Sequence, residues 1–180
     1  MLTRGRRMER RDAATMEQEG LFFLSLALVP QAWYESQRKP VTVEYEDYRN
    51  LPTIWWKFQT APISVTEYCD AALTRGDLLG YYLSDDYYET AWTDHSNHRI
   101  ELTQNETGDI LELHAQIDVR EPFSGFLDFA IRFTLDAQCL FYEYADGVFF
   151  EPDRRRIIQE IGRHELTHAT IDSSGYITHH

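Results

Sequence analysis

Strict alternation of apolar and polar residues marks one stretch of this chain. Between residues 111 and 119 every odd position is apolar, and the positions between them hold Glu112, His114, Gln116 and Asp118. A period of two is typical of a strand that is buried on one face. Residues 99–103 precede this stretch across a polar turn. The two segments therefore predict an antiparallel hairpin with a half-buried second strand.

Further strands are indicated by short apolar or alternating runs bounded by turn residues. The pair Asp146-Gly147 is a strong tight-turn signal and joins two of these runs into a second hairpin. The predicted strands are residues 41–45, 54–58, 139–144 and 148–150.

Helices are predicted where apolar residues recur with a helical period. Residues 64–82 have this spacing, and an apolar run predicts a helix over residues 16–37 that is bent at Pro30. Residues 122–135 fit both periods, but their length and proline start favour a helix. A last helix opens at Pro152. The predicted fold class is α+β, a mainly antiparallel sheet with packed helices.

Length and charge describe a single acidic domain. The chain has 180 residues and a net charge of −13, but five of its 17 basic residues lie among the first eleven. We expect residues 1–15 to be a flexible basic tail and residues 16–180 to be one α+β domain. Residues 12–180 hold 12 basic and 29 acidic residues, a net charge of −17. Such a field repels nucleic acid and anionic membranes and favours a basic protein partner.

Cysteine content and the N-terminal charges bear on location. Two cysteines make no disulfide framework, and Glu17 and Glu19 directly precede the apolar run that a signal peptide would need. Nine apolar residues are too few to span a bilayer. These features predict a cytoplasmic protein.

Aromatic and acidic residues alternate in two segments, 43–48 and 81–94. Exposed tyrosine and tryptophan supply binding energy, and neighbouring carboxylates attract a basic partner. The alternative is that half of these aromatics belong to the core while the acids face water. The predicted partner-binding residues are Glu44, Glu46, Asp47, Tyr82, Asp85, Asp86, Tyr87, Tyr88, Glu89 and Trp92.

Residues 164–168 have the pattern H-E-x-x-H and resemble the zinc site of metallopeptidases. On a helix that continues through residue 169, His164 and His168 would bind zinc and Glu165 would act as general base. A third ligand could be His180, its neighbour His179, Asp172 or Cys139, the last as in peptide deformylases. The alternative is a frayed helix end or a hairpin, because residues 167–171 and 176–178 are rich in β-branched and aromatic side chains.

Small size, acidity and an aromatic-acidic surface over residues 40–172 resemble bacterial toxin-immunity and related inhibitor proteins. The resemblance implies a non-enzymatic protein, without a cofactor, that neutralises a basic partner such as a nuclease-type toxin. The alternative function is a small zinc-dependent hydrolase that uses the H-E-x-x-H motif.

Overall fold

The structure is a computed structural model that describes residues 23–37, 55–57, 59–84, 88–144, 147–163, 169–171 and 177–179. Its main element is a seven-stranded antiparallel sheet in the order β2-β3-β4-β5-β1-β6-β7. The strands are β1 (Phe23–Pro30), β2 (Gly80–Ser84), β3 (Glu89–Thr93), β4 (Arg99–Gln104), β5 (Ile110–Asp118), β6 (Cys139–Glu143) and β7 (Val148–Phe150).

Helices and a small second sheet complete the described part of the chain. The helices are α1 (Gln31–Ser36), α2 (Val65–Arg75), α3 (Ser124–Asp136) and α4 (Arg154–Arg163). Strands β8 (Ala169–Ile171) and β9 (Ile177–His179) pair with each other. The predicted α+β class with a mainly antiparallel sheet is therefore confirmed, as are both predicted hairpins and the helix at residues 122–135.

The helix predicted for residues 16–37 is wrong over its apolar run. That run forms β1, which pairs with β5 on one side and β6 on the other. Leu26, Leu28 and Val29 are fully buried. An apolar run that is buried on both faces of a sheet shows no period of two, so its pattern does not separate a strand from a helix. Helix α1 begins directly after Pro30.

Two other boundaries also differ from the predictions. The helix predicted for residues 64–82 ends at the left-handed cap Gly76 (φ 84°), where glycine has no Cβ to clash, and β2 follows. The strand predicted for residues 54–58 is instead a helical turn at Trp55 and Trp56. The strand predicted for residues 41–45 and the tail 1–15 lie outside the described residues.

The core lies between one face of the sheet and helices α2 and α3. Alternate residues of β5, such as Leu113 and Ile117, are buried on this face, and α3 packs against it. The hydroxyl of Tyr68 on α2 donates to Asp136 on α3 at 2.7 Å, which holds the helices together. We call this the helix-covered face of the sheet.

The opposite face is covered at one end by aromatic side chains. Trp33, Trp55, Tyr142, Tyr144 and Phe149 pack on one another there, with ring centroids 4.6–6.4 Å apart. They lie over β1, β6 and β7. The rest of this face, on β3, β4 and β5, carries polar side chains and holds the candidate site.

Candidate functional site

A polar cleft of about 470 Å³ lies on the sheet face opposite the helices. Strand register explains how it forms: Glu101 on β4 lies beside His114 on β5, and Thr103 lies beside both Glu112 on β5 and Glu89 on β3. Side chains of paired residues share a face, so the polar positions of these strands meet. The lining residues are Ser25, Glu89, Glu101, Thr103, Glu112, His114 and Gln116.

Glu101 is the most strongly perturbed carboxylate of the cleft. Burial raises its pKa to about 7; Arg99 opposes this rise, while the charges of Glu89 and Glu112 add to it. Arg99 Nε lies 2.9 Å from Glu101 Oε1, and Gln116 Nε2 donates to Glu101 Oε2. Glu101 is therefore close to half-ionised at neutral pH, and its charge responds to any cation that enters the cleft.

Arg99 itself is held at the edge of the cleft. Its Nε donates to Gln116 Oε1 at 2.9 Å and forms the ion pair with Glu101, and its guanidinium lies 4.7 Å from the centroid of the Phe23 ring. A guanidinium between a carboxylate, an amide oxygen and an aromatic face is a favourable arrangement. This face of the sheet thus already accommodates one arginine side chain.

His114 lies between two hydroxyl groups and is neutral at neutral pH. Its Nδ1 is 3.3 Å from Ser25 Oγ, and its Nε2 is 3.3 Å from the hydroxyl of Tyr144. Burial lowers its pKa to about 4. Glu112 Oε2 lies 3.8 Å from Nε2, but because the His114 ring is neutral, the two groups do not form an ion pair. Burial and the charge of Glu89 both raise the pKa of Glu112.

The cleft is therefore negatively charged. Three carboxylates line it, and the guanidinium that acts on Glu101 is that of Arg99. The charges of Glu89 and Glu112 raise the pKa of Glu101, and the charge of Glu89 raises the pKa of Glu112, as expected for carboxylates that repel one another. A cation between them would relieve this repulsion.

The residues predicted to bind a partner fall in different places. Glu89 lines the cleft, Tyr82 shares its face through register with Ala91, and Tyr88 is 58% exposed at the start of β3. Trp92 is only 1% exposed, and its indole donates to Asp70 on α2 at 3.1 Å. Trp92 thus belongs to the core on the helix-covered face, because it pairs with the buried Ile100 and not with a cleft residue. Glu44, Glu46, Asp47, Asp85, Asp86 and Tyr87 lie outside the described residues.

The H-E-x-x-H segment also lies outside the described residues, together with His180. Ala169 begins strand β8, which pairs with β9, so the helix that opens at Pro152 does not continue through Ala169. This hairpin is the alternative that the β-branched residues indicated. Within the described ranges, no group of three or more His, Cys, Asp or Glu side chains is arranged to hold a metal ion.

Most of the cleft residues are not among the site residues that the sequence predicts. Glu112, His114 and Gln116 were visible as the polar side of an alternating strand, and Glu101 occupies the same position in the preceding strand. The sequence feature that could have indicated the cleft is the predicted hairpin, which places the polar positions of its two strands on one face. Ser25 carried no such signal, because it lies in an apolar run.

No protein-family model, curated protein or solved structure matches this chain. Over the described residues, no helix combines the length and apolar character needed to cross a membrane. The function must therefore be argued from the site itself.

Proposed function

We propose that this chain is a non-enzymatic binding protein that captures a basic protein partner, and that the cleft receives an arginine or lysine side chain of that partner. The observation that carries the proposal is the convergence of Glu89, Glu101 and Glu112 on one cleft, where Arg99 forms an ion pair with Glu101. A bound cation offsets the repulsion among these carboxylates, and partial burial strengthens the attraction.

The charge of the chain as a whole supports the same proposal. A net charge of −13 attracts a basic partner over a long range and raises the rate of association. Nucleases bind a polyanion through basic surfaces, so a nuclease-type toxin would be one partner of the required charge. The same field disfavours direct binding of nucleic acid or an anionic membrane.

The test is the affinity for a fluorescein-labelled oligoarginine peptide, measured by fluorescence anisotropy at low salt. We expect the triple variant E89Q/E101Q/E112Q to weaken binding by about tenfold or more, equivalent to about 1.4 kcal/mol or more. The matched control is E106Q/E121Q/E151Q, which makes the same three chemical changes at exposed glutamates outside the cleft.

The control separates local capture from long-range attraction. If both triple variants weaken binding equally, net charge alone attracts the peptide and the cleft is not the binding site. The proposal also requires affinity to rise as pH increases through 7, because the ionised form of Glu101 binds the cation. A pH-independent affinity over that range would contradict it.

A further inference from the structure

Strand β2 lies at one edge of the main sheet as the described residues form it. Within the described residues β2 pairs with β3 alone, so the backbone groups on its outer side have no strand partner there. Natural proteins usually protect such an edge with a charge, a proline or a very short strand. Strand β7, at the other edge, is only three residues long. Strand β2 is five residues long, and its sequence Gly-Tyr-Tyr-Leu-Ser contains neither a charge nor a proline.

The two faces beside this edge have different chemistry. On the helix-covered face, Leu83 lies in register with Thr90 and Leu102, yet its side chain is 49% exposed. Leu79, directly before the strand, is also exposed. On the opposite face the cleft begins one strand further in, at Glu89 on β3. A strand added beside β2 would therefore lie next to Leu83 on one face and next to Tyr82 on the other, with the acidic cleft one strand beyond Tyr82.

We propose that β2 is a docking edge, and that an extended segment of the basic partner adds to it as an eighth strand in which apolar and basic residues alternate. This inference rests on the proposed function, because the basic residues of the segment would face the same cleft. The apolar residues would cover Leu83, and the outer backbone groups of β2 would gain hydrogen bonds.

The distances on the cleft face are consistent with this arrangement. Neighbouring strands are about 4.8 Å apart, so the added strand would lie about 10 Å from β3. An extended arginine and Glu89 together cover that separation. Ala91, between Tyr82 and Glu101 in the register, is small and leaves room for a side chain to cross toward β4.

The test uses a short synthetic peptide of alternating valine and arginine. Its comparison peptide has the same composition, with the valines and arginines in two separate blocks. We expect the alternating peptide to bind about tenfold or more tightly than the block peptide, since only alternation sorts the two chemistries to opposite faces. Its binding should also slow hydrogen exchange of the β2 amides that face away from β3, which charge attraction alone does not do.

Substitutions at the edge give a second, independent test. Leu83→Lys places a charge on the apolar side of the edge. It is expected to weaken binding of the alternating peptide by about tenfold. The control is Leu135→Lys, an identical change at a leucine that is 55% exposed and lies on α3, not on the sheet. Its effect on peptide binding is expected to stay within about twofold. Hydrogen exchange on the unmodified protein keeps the test valid if Leu83→Lys perturbs folding.

The outcomes separate this inference from the proposed function. Equal binding of both arginine peptides, sensitive to the cleft triple variant and without protection of β2 amides, would refute strand addition and leave the cleft proposal standing. Failure of both peptides to bind at low salt would refute both proposals. A dimer that Leu83→Lys dissociates would make a second copy the occupant of the edge and would overturn the inference.

Discussion

Replacement of Glu101 by glutamine should change how the stability of the protein depends on pH. The pKa of this carboxyl in the folded chain is about 7, against 4.5 for an ordinary glutamate, so the folded chain holds the proton more tightly than the unfolded chain does. Its contribution to stability is complete below pH 4.5 and is lost as pH rises through 7. Glutamine does not titrate, so the variant loses no stability from this position over the same pH range.

The magnitude follows from the difference of the two pKa values. A rise of about 2.5 units, at about 1.36 kcal/mol for each unit, gives about 3 kcal/mol. The Glu101 side chain is 17% exposed, so solvent screening reduces this figure only moderately. Arg99 opposes this rise in pKa, so the effect of the ion pair is already contained in the pKa of about 7. Its loss in Glu101→Gln therefore does not alter the expected change between low and high pH.

The assay is urea unfolding followed by tryptophan fluorescence at a series of pH values. We expect the free energy of unfolding of Glu101→Gln, minus that of the wild type, to increase by up to about 3 kcal/mol between pH 4.5 and a pH well above 7. Glu106→Gln makes the same chemical change at an exposed turn residue outside the cleft and shows the effect of one lost charge. Parallel curves for wild type and Glu101→Gln would refute the reasoning.

Three further experiments have defined outcomes. The free energy of unfolding of His114→Gln, relative to that of the wild type, should rise as pH falls from 6.5 to 4. The reason is that the wild type loses stability over this range, since the unfolded chain protonates its histidine while the buried ring stays neutral. Urea unfolding at several pH values measures this, and a free-energy difference that does not change with pH would contradict it. Burial raises the pKa of the Cys69 and Cys139 thiols to about 12, so thiol reagents should label the native protein much more slowly than the protein in urea; fast native labelling would contradict their burial. Mass spectrometry of untagged protein should find zinc that His164→Ala removes if the hydrolase alternative holds, and no zinc after reconstitution would exclude that alternative.

The local elements of the fold were largely predictable from the sequence. The hairpin of β4 and β5 was visible because one face is buried and the other polar, and that of β6 and β7 because Asp146-Gly147 suits a tight turn. The apolar run of β1 was not, since a strand with neighbours on both sides and two buried faces has no alternating pattern. Its insertion between β5 and β6 depends on tertiary pairing, which periodicity does not report.

The cleft depends on register, and register explains why the sequence alone could not locate it. A shift of one residue between β4 and β5 would turn Glu101 toward the helix-covered face, where burial of an unpaired carboxylate is costly. A shift of two residues would keep Glu101 on the cleft face but move it away from His114. The alternating pattern therefore selects the face on which a glutamate lies, while the turn at residues 105–109 selects its neighbour. The acidic character of the cleft follows from that turn together with the pairing of β3, which brings Glu89 beside Thr103.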